Sequence, residues 1–326
     1  MPFINRRSAA LLLASLIAVP SLAVAADWPE RTIEIIVPYS AGGTTDTTSR
    51  MLGEIISRQT GQSVVIQNFP GAGATLGSTK ASRASNDGYT LFMGQISSHG
   101  IAPAIYTNLQ YDPVDSFVPI GRVLSVPNIL VVPASSPANT YDELIELAKT
   151  RRMTFASSGV GSSVHLSGEL FKAMTGLDMV HVPYKGSGEA IPALLGGQVD
   201  MMFDNAPSAM AHIQSGAVKA LGVTTSTRTA RLPDVATIAE LGGATMADFE
   251  VQAWWALFAP AGADPEVISQ INAVLNNALA DPEFIDFAEG RAATTNPGTP
   301  DDLASHVASE LAKWEAVVDA AGIPKK

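Results

Sequence analysis

The chain has 326 residues, 46% hydrophobic and 16% charged, which describes a globular protein long enough for two cored domains and excludes a disordered one. Its 31 acidic and 20 basic residues give a formal charge of −11, and no Lys/Arg cluster offsets it, so nucleic acid and anionic lipid surfaces are excluded as partners. Cysteine is absent, which removes disulfides and thiolate chemistry.

Residues 1–26 read as a signal peptide for export. Arg6 and Arg7 form a basic start, Ala9–Val19 an apolar core too short to span a bilayer, and Ala23-Val24-Ala25 a cleavage site. The arginine pair also admits a twin-arginine route. Cleavage takes away two arginines and no acid, so the formal charge becomes −13. The expected product is an acidic periplasmic protein with no direct membrane insertion.

The apolar run Ile33–Val37 predicts a strand, and Arg50–Ile56 has helical spacing. Between them lies Pro38-Tyr39-Ser40-Ala41-Gly42-Gly43-Thr44-Thr45-Asp46. Its glycines admit close backbone approach, its hydroxyls donate, and the free N–H groups of the helix start attract anions. On this reading a β-branched residue at Gly43 would block a ligand. The device repeats at Val64–Asn68, followed by Phe69-Pro70-Gly71-Ala72-Gly73-Ala74 and a helical Leu76–Ala84. A third strand, Tyr89–Met93, runs into a loop, Gly94-Gln95-Ile96-Ser97-Ser98. Strands alternating with helices argue for a parallel sheet with its ligand site off the carboxyl ends of the strands.

Phe117–Val123 and Asn128–Val132 predict two further strands, the second crossing into another domain. Thr140 caps a helix through Lys149, with Glu143 at the capping-box position. Thr154–Ala156 then delivers Ser157-Ser158-Gly159-Val160-Gly161-Ser162-Ser163 to a helix bearing His165, so the opening device recurs in the second half. Strands at Met179–Val182 and Val199–Phe203 lead to Tyr184-Lys185-Gly186 and to Asp204-Asn205. Val251–Phe258 looks like a return crossing, and three helices are predicted after it, Pro265–Leu279, Pro282–Ala288 and Thr299–Ala320.

Several residues have two readings. Asp46 caps its helix or orders loop waters. Asp204 receives a ligand ammonium or hydroxyl, or caps the Pro207 helix through Asn205. His165 packs or touches ligand, Lys185 is solvated or lends a cation to the cleft, and Trp254 and Trp255 serve core or hinge packing or form an aromatic shelf. No cofactor or metal is expected. The Gly71-x-Gly73-x-x-x-Gly77 spacing is one residue too long for a dinucleotide fingerprint, Gly77 equally fits a tight turn, and no Walker A loop or zinc spacing occurs. A hydrolase is disfavoured by the lack of G-x-S-x-G.

The chain resembles the extracytoplasmic solute-binding receptors of tripartite tricarboxylate transporters, the Bug family. The resemblance is carried by Trp28-Pro29, Pro38–Asp46, Pro70–Gly73, Asp87–Leu91, Ser157–His165, His181–Gly186, Val199–Asp204, Arg231–Asp234 and Phe258–Gly262. It implies an α/β, type II periplasmic-binding-protein fold in which two α/β lobes, joined by crossing strands, hold a ligand cleft between them. The lobes are assigned to residues 27–126 with 254–326, and to 127–253. It also implies that Tyr39–Asp46 and Pro70–Gly73 grip a carboxylate through main chain and water, while Ser157–Ser162, His165, Tyr184 and Asp204 approach the other end of the ligand. Gln95 and Ser97 complete the expected site. Expected partners are a small carboxylate and the membrane permease subunits of such a transporter, with the receptor a monomer; a sensory receptor signalling to a membrane kinase is the alternative. Ala74, Ala236 and Ala256 depart from the family pattern.

Overall fold

The protein is described by a computed structural model covering residues 28–320 and 322–326; the expected signal peptide lies outside the described residues. The first half carries β1 (Ile33–Val37), α1 (Thr44–Thr60), β2 (Val64–Asn68), α2 (Thr75–Ser82), β3 (Thr90–Gln95) and α3 (Ala102–Ile105). Next come β4 (Phe117–Pro133), α4 (Tyr141–Thr150), β5 (Met153–Ser157), α5 (Ser163–Thr175), β6 (Met179–Pro183), α6 (Ser187–Leu195), β7 (Met201–Asn205), α7 (Ala206–Gln214) and β8 (Val218–Val223). The chain ends with α8 (Ile238–Gly242), β9 (Gln252–Pro260), α9 (Pro265–Leu279), α10 (Pro282–Glu289), β10 (Thr294–Thr295) and α11 (Pro300–Ala320).

Local chemistry explains these elements. Leu52, Ile55 and Ile56 recur at helical spacing on α1 and are all buried, and Gly61, in the left-handed region at φ 71°, ends the helix by donating to Ser57 O. Thr140 accepts from Glu143 N at the start of α4, while the Glu143 carboxylate takes the Asn139 N–H in return.

The strands follow the order β2-β1-β3-β9-β4-β7-β5-β6, with β8 and β10 also on β4. Pairs β1–β2, β1–β3, β5–β6 and β5–β7 are parallel, whereas β9 is antiparallel to both β3 and β4. Where two separate strands were expected, β4 is one continuous strand of 17 residues. The linking residues Leu124 and Val126 are fully buried, so breaking the strand there would leave backbone groups unpaired. Residues up to Pro127 pair with β9, and from Asn128 on the strand pairs with β7 and β8. Pro127, which has no N–H to give, takes the last place in the β9 ladder. The two half-sheets therefore share β4, and β9 returns beside it.

The expected loop after β3 is also different. The strand continues to Gln95 and then tightens into a helical turn, Ser97–Ile101. Gly94 is a packing glycine there, since a Cβ would come 2.6 Å from the Phe258 ring. Trp254 and Trp255 are buried in the core. Trp254 and Trp314 both donate their indole N–H to Glu310 Oε2, at 2.9 and 3.0 Å, which ties β9 to α11. Among the described residues no helix is long and apolar enough to cross a membrane.

Candidate ligand-binding site

Six loops leave the carboxyl ends of parallel-paired strands, three from each half, and meet face to face. A small cavity lies between them, walled by Tyr39, Gly43, Thr44, Thr45, Gln95, Ser97, Ser158, Ser163, Ser187 and Asn205. Its volume of about 10 Å³ is roughly that of one water, too small for a metabolite with the loops placed as they are. A wider groove of about 790 Å³ beside Pro127 and Gln252, lined by Arg228 and Arg231, is a surface depression at the crossing strands.

The cavity wall is made of helix starts. Gly43 is the N-cap of α1 with Thr44 and Thr45 in its first turn, Ser163 opens α5, Ser187 opens α6, and Asn205 is the N-cap of α7. Unpaired N–H groups and the positive ends of four helix dipoles converge there, and among the described residues no lysine or arginine side chain stands on the wall. Buried polar atoms without partners stand on this wall, Tyr39 Oη, Thr44 Oγ1 and Gln95 Nε2, and two more lie beside it, Ser40 Oγ at the seam and Asp204 Oδ2 behind Ser187. Gln95 is oriented by a relay in which Trp255 Nε1 donates to Thr45 Oγ1 at 2.9 Å and Thr45 Oγ1 approaches Gln95 Oε1 at 3.5 Å. That leaves the Gln95 amide N–H free. The site is built to receive hydrogen-bond acceptors.

The expected site residues divide into three groups. Tyr39, Gly43, Thr44, Gln95, Ser97 and Ser158 stand on the cavity wall. Ser40, Ala41, Ala72, Gly73, Gly159 and Tyr184 lie along the seam where the loop sets touch. Ser40 N donates to Lys185 O at 3.3 Å, and Tyr106 Oη lies 2.9 Å from Val160 O and 3.2 Å from Ala72 O, within reach of either carbonyl for its one hydrogen. The Pro70–Gly73 loop thus closes the seam rather than walling the cavity. Pro70 and Gly71 shape its entry, Gly71 with φ 138°.

The third group supports the loops from behind. Asp46 accepts from Gly42 N at 2.9 Å and pairs with Arg50 and Asn68; burial alone would raise its carboxyl, but these partners hold it below the ordinary range. Ser157 Oγ meets His181 Nε2 and accepts from Gly159 N. Ser162 caps α5 by accepting His165 N at 3.1 Å. His165 is not on the cavity wall: its Nδ1 accepts from Gly161 N at 3.2 Å and its ring lies 4.1 Å from that of His181. Burial, with His181 beside it, pushes His165 down to about 2, and burial pushes His181 down to about 4, so both rings stay neutral. Asp204 does not cap α7 through Asn205, whose amide donates instead to Asn128 Oδ1. Asp204 Oδ1 lies 2.6 Å from Ser187 Oγ, one hydroxyl behind the cavity. Burial pushes its carboxyl up to about 6, a rise tempered by Ser187, Ser208 and the Asn205 N–H.

Thr45 as a link to Trp255, together with Ser163, Ser187 and Tyr106, was not singled out from sequence, and Asn205 was read only as a helix cap. Gly186-Ser187 after β6 repeats the strand–glycine–helix device and carried a signal; Tyr106 carried none. The glycine test also moves. Gly43 has φ −82°, and a Cβ there would meet only Gly188 N and Ser187, at 3.7 Å. Gly43→Ala is expected to keep ligand affinity within about threefold, since contact at that distance is ordinary van der Waals packing; calorimetry checks this. Gly77 is a packing glycine, 2.7 Å from Pro38 Cα were it to carry a Cβ. Ala74, buried, adopts φ 85°, a left-handed conformation that costs an alanine about 1 kcal/mol. Ala256 is buried in the sheet, opposite Gly94 and Arg122.

Two half-sheets bridged by paired strands, closing glycine-rich loops over a cavity of helix starts, define a binding protein of the periplasmic type. The chain belongs to the Tripartite tricarboxylate transporter family receptor family, whose profile matches residues 48–323. It is 36% identical to BugT of Bordetella pertussis over 307 residues, 93% of each chain. Among solved structures it is similar to Rpa4515 of Rhodopseudomonas palustris with adipate, at 34% identity and TM-score 0.88, covering 92% of this chain and 100% of that one. MatC of the same organism, with bound malate, is 33% identical with TM-score 0.84, covering 89% and 100%. The protein is thus a solute-binding receptor of a family of receptors and not of enzymes.

Proposed function

We propose that this receptor captures a small carboxylate in the periplasm and delivers it to the membrane subunits of a tripartite tricarboxylate-type transporter. The observation that carries the reading is the cavity wall of four helix starts and unpartnered donors without a cation. Bonds from N–H groups to a carboxylate contribute about 1.5–3 kcal/mol each, so roughly four of them reach micromolar affinity. A modest grip of this kind also suits release to a transporter. Two similar proteins hold adipate and malate, which supports a ligand of that class. Residues 27–126 with 254–326 and residues 127–253 act as lobes that part and close through β4 and β9. Both sides of the cavity come from one chain, so a monomer suffices.

Calorimetry of the chain lacking residues 1–26 against aliphatic mono-, di- and tricarboxylates tests this. One-to-one binding of at least one acid is expected; no heat with any of them overturns the reading. Deleting the gene should slow uptake of that same acid by cells, which reads out the transporter partnership.

A further inference from the structure

Among the described residues Asp204 is the carboxylate that stands directly behind the cavity wall, bonded to the Ser187 hydroxyl, and no described cation pairs with it. It sits on β7 between β4 and β5, with α5, α6 and α7 packed against that strand. The facing stretches of β4 (Asn128–Val131) and β5 (Met153–Ser157) hold no titratable group. On α5, His165 faces Gly161 N and Glu169, and Lys172 bridges Glu169 at 3.1 Å. On α6, Glu189 is exposed and accepts from Lys185 N, while His212 lies in the last turn of α7, at its far end. Across the cavity stands the Tyr39 phenol. No described cation pairs with Asp204; its Oδ2 has no partner, its Oδ1 takes the Ser187 hydroxyl, which is itself cavity wall, and its other polar neighbours, Ser208 and the Asn205 N–H, are uncharged.

That hydroxyl has a single hydrogen. When Asp204 is charged, the hydrogen goes to Asp204, and Ser187 turns lone pairs toward the cavity. When Asp204 is neutral, the carboxyl O–H donates to Ser187 Oγ, and the hydroxyl hydrogen is free to bond a ligand oxygen. The 2.6 Å separation serves either direction. One proton therefore converts this wall from acceptor to donor. A ligand carboxylate closing on the cavity would otherwise face a second charge in a dry site, where two like charges cannot both persist.

We propose that capture of a carboxylate is proton-coupled: as the cleft closes, Asp204 takes one proton from solvent, and Ser187 reverses its hydrogen bond to donate to the ligand. This rests on the carboxylate reading above. The neutral form binds and the charged form resists, so affinity rises as pH falls and levels off once free Asp204 is already protonated.

The test is calorimetry of the whole mature chain with adipate and with malate at pH 7.5, where both acids are fully ionised, in two buffers of different ionisation enthalpy. The expected result is uptake approaching one proton per ligand, with Kd tightening about tenfold per pH unit toward pH 6. Asp204→Asn, which keeps the shape of the neutral acid, is expected to bind with a pH-independent Kd. Binding whose heat is the same in both buffers overturns the proton coupling and leaves the carboxylate reading standing. A ligand amine held by charged Asp204, seen as tight binding of an amino acid without proton uptake, overturns it as well. If neither these two acids nor any other acid in the panel gives heat, both readings fall together. Should Asp204→Asn not fold, the buffer dependence of the wild type decides alone.

Discussion

Gly188→Ala is expected to weaken ligand capture about 100-fold while far-UV circular dichroism stays unchanged. A Cβ on Gly188 would overlap the Ala41 carbonyl oxygen across the seam, and one on Gly73 would overlap the Val160 carbonyl oxygen. In both cases the obstacle is backbone and cannot swing aside. Overpacking of this kind costs roughly 1–3 kcal/mol, and each 1.4 kcal/mol against the closed state is a tenfold loss of affinity. Parting the two loop sets relieves the overlap completely, so the penalty falls on closure and not on folding. Gly73→Ala should lose as much or more. Gly73 also sits at φ 59°, which adds about 1 kcal/mol of backbone strain and lowers stability slightly. With Gly43→Ala as the tolerated control in the facing loop, calorimetry separates closure from mere crowding. Wild-type affinity in Gly188→Ala would show that the seam is not the closing contact.

The second large effect concerns stability. Glu310→Ala is expected to lower the free energy of unfolding by about 3 kcal/mol, because it leaves two buried indole N–H groups without an acceptor. For a chain of this size that is a fall of roughly 5 °C in Tm. Trp254 belongs to β9, the strand that returns from one half-sheet to the other, whereas Glu310 and Trp314 belong to α11. The clamp therefore fixes the crossing strand against the terminal helix. Glu310→Gln keeps an acceptor and should lose only about 1 kcal/mol, because the shape and one hydrogen bond survive. Equal melting of wild type and Glu310→Ala would remove the clamp from the account.

Much of the fold was legible because its signals are local. The apolar run Ile33–Val37, the glycine turn and the spacing of Leu52, Ile55 and Ile56 each act within a few residues, as do the caps at Thr140 and Ser162. The repetition of that device in both halves, with the family motifs, pointed to a cleft between two α/β bodies and to a solute-binding receptor. The misplacements share a cause. Joining β4 into one strand and tightening the turn after β3 depend on what is buried beside Leu124 and against Phe258, which no local pattern reports.

Taken alone, the sequence determined the family, the strand–glycine–helix units and the acidic surface, because turn chemistry and periodicity are short-range properties of the chain. Only the tertiary structure decided which loops wall the cavity and which form the seam. Contacts such as Trp255 with Thr45, 210 residues apart, or Ser187 with Asp204, 17 apart, arise from strand order. Only that order decided that Asp204 lies fully buried with no described cation beside it. Charge in the sequence is a count; its energy depends on burial, and burial is a property of the fold.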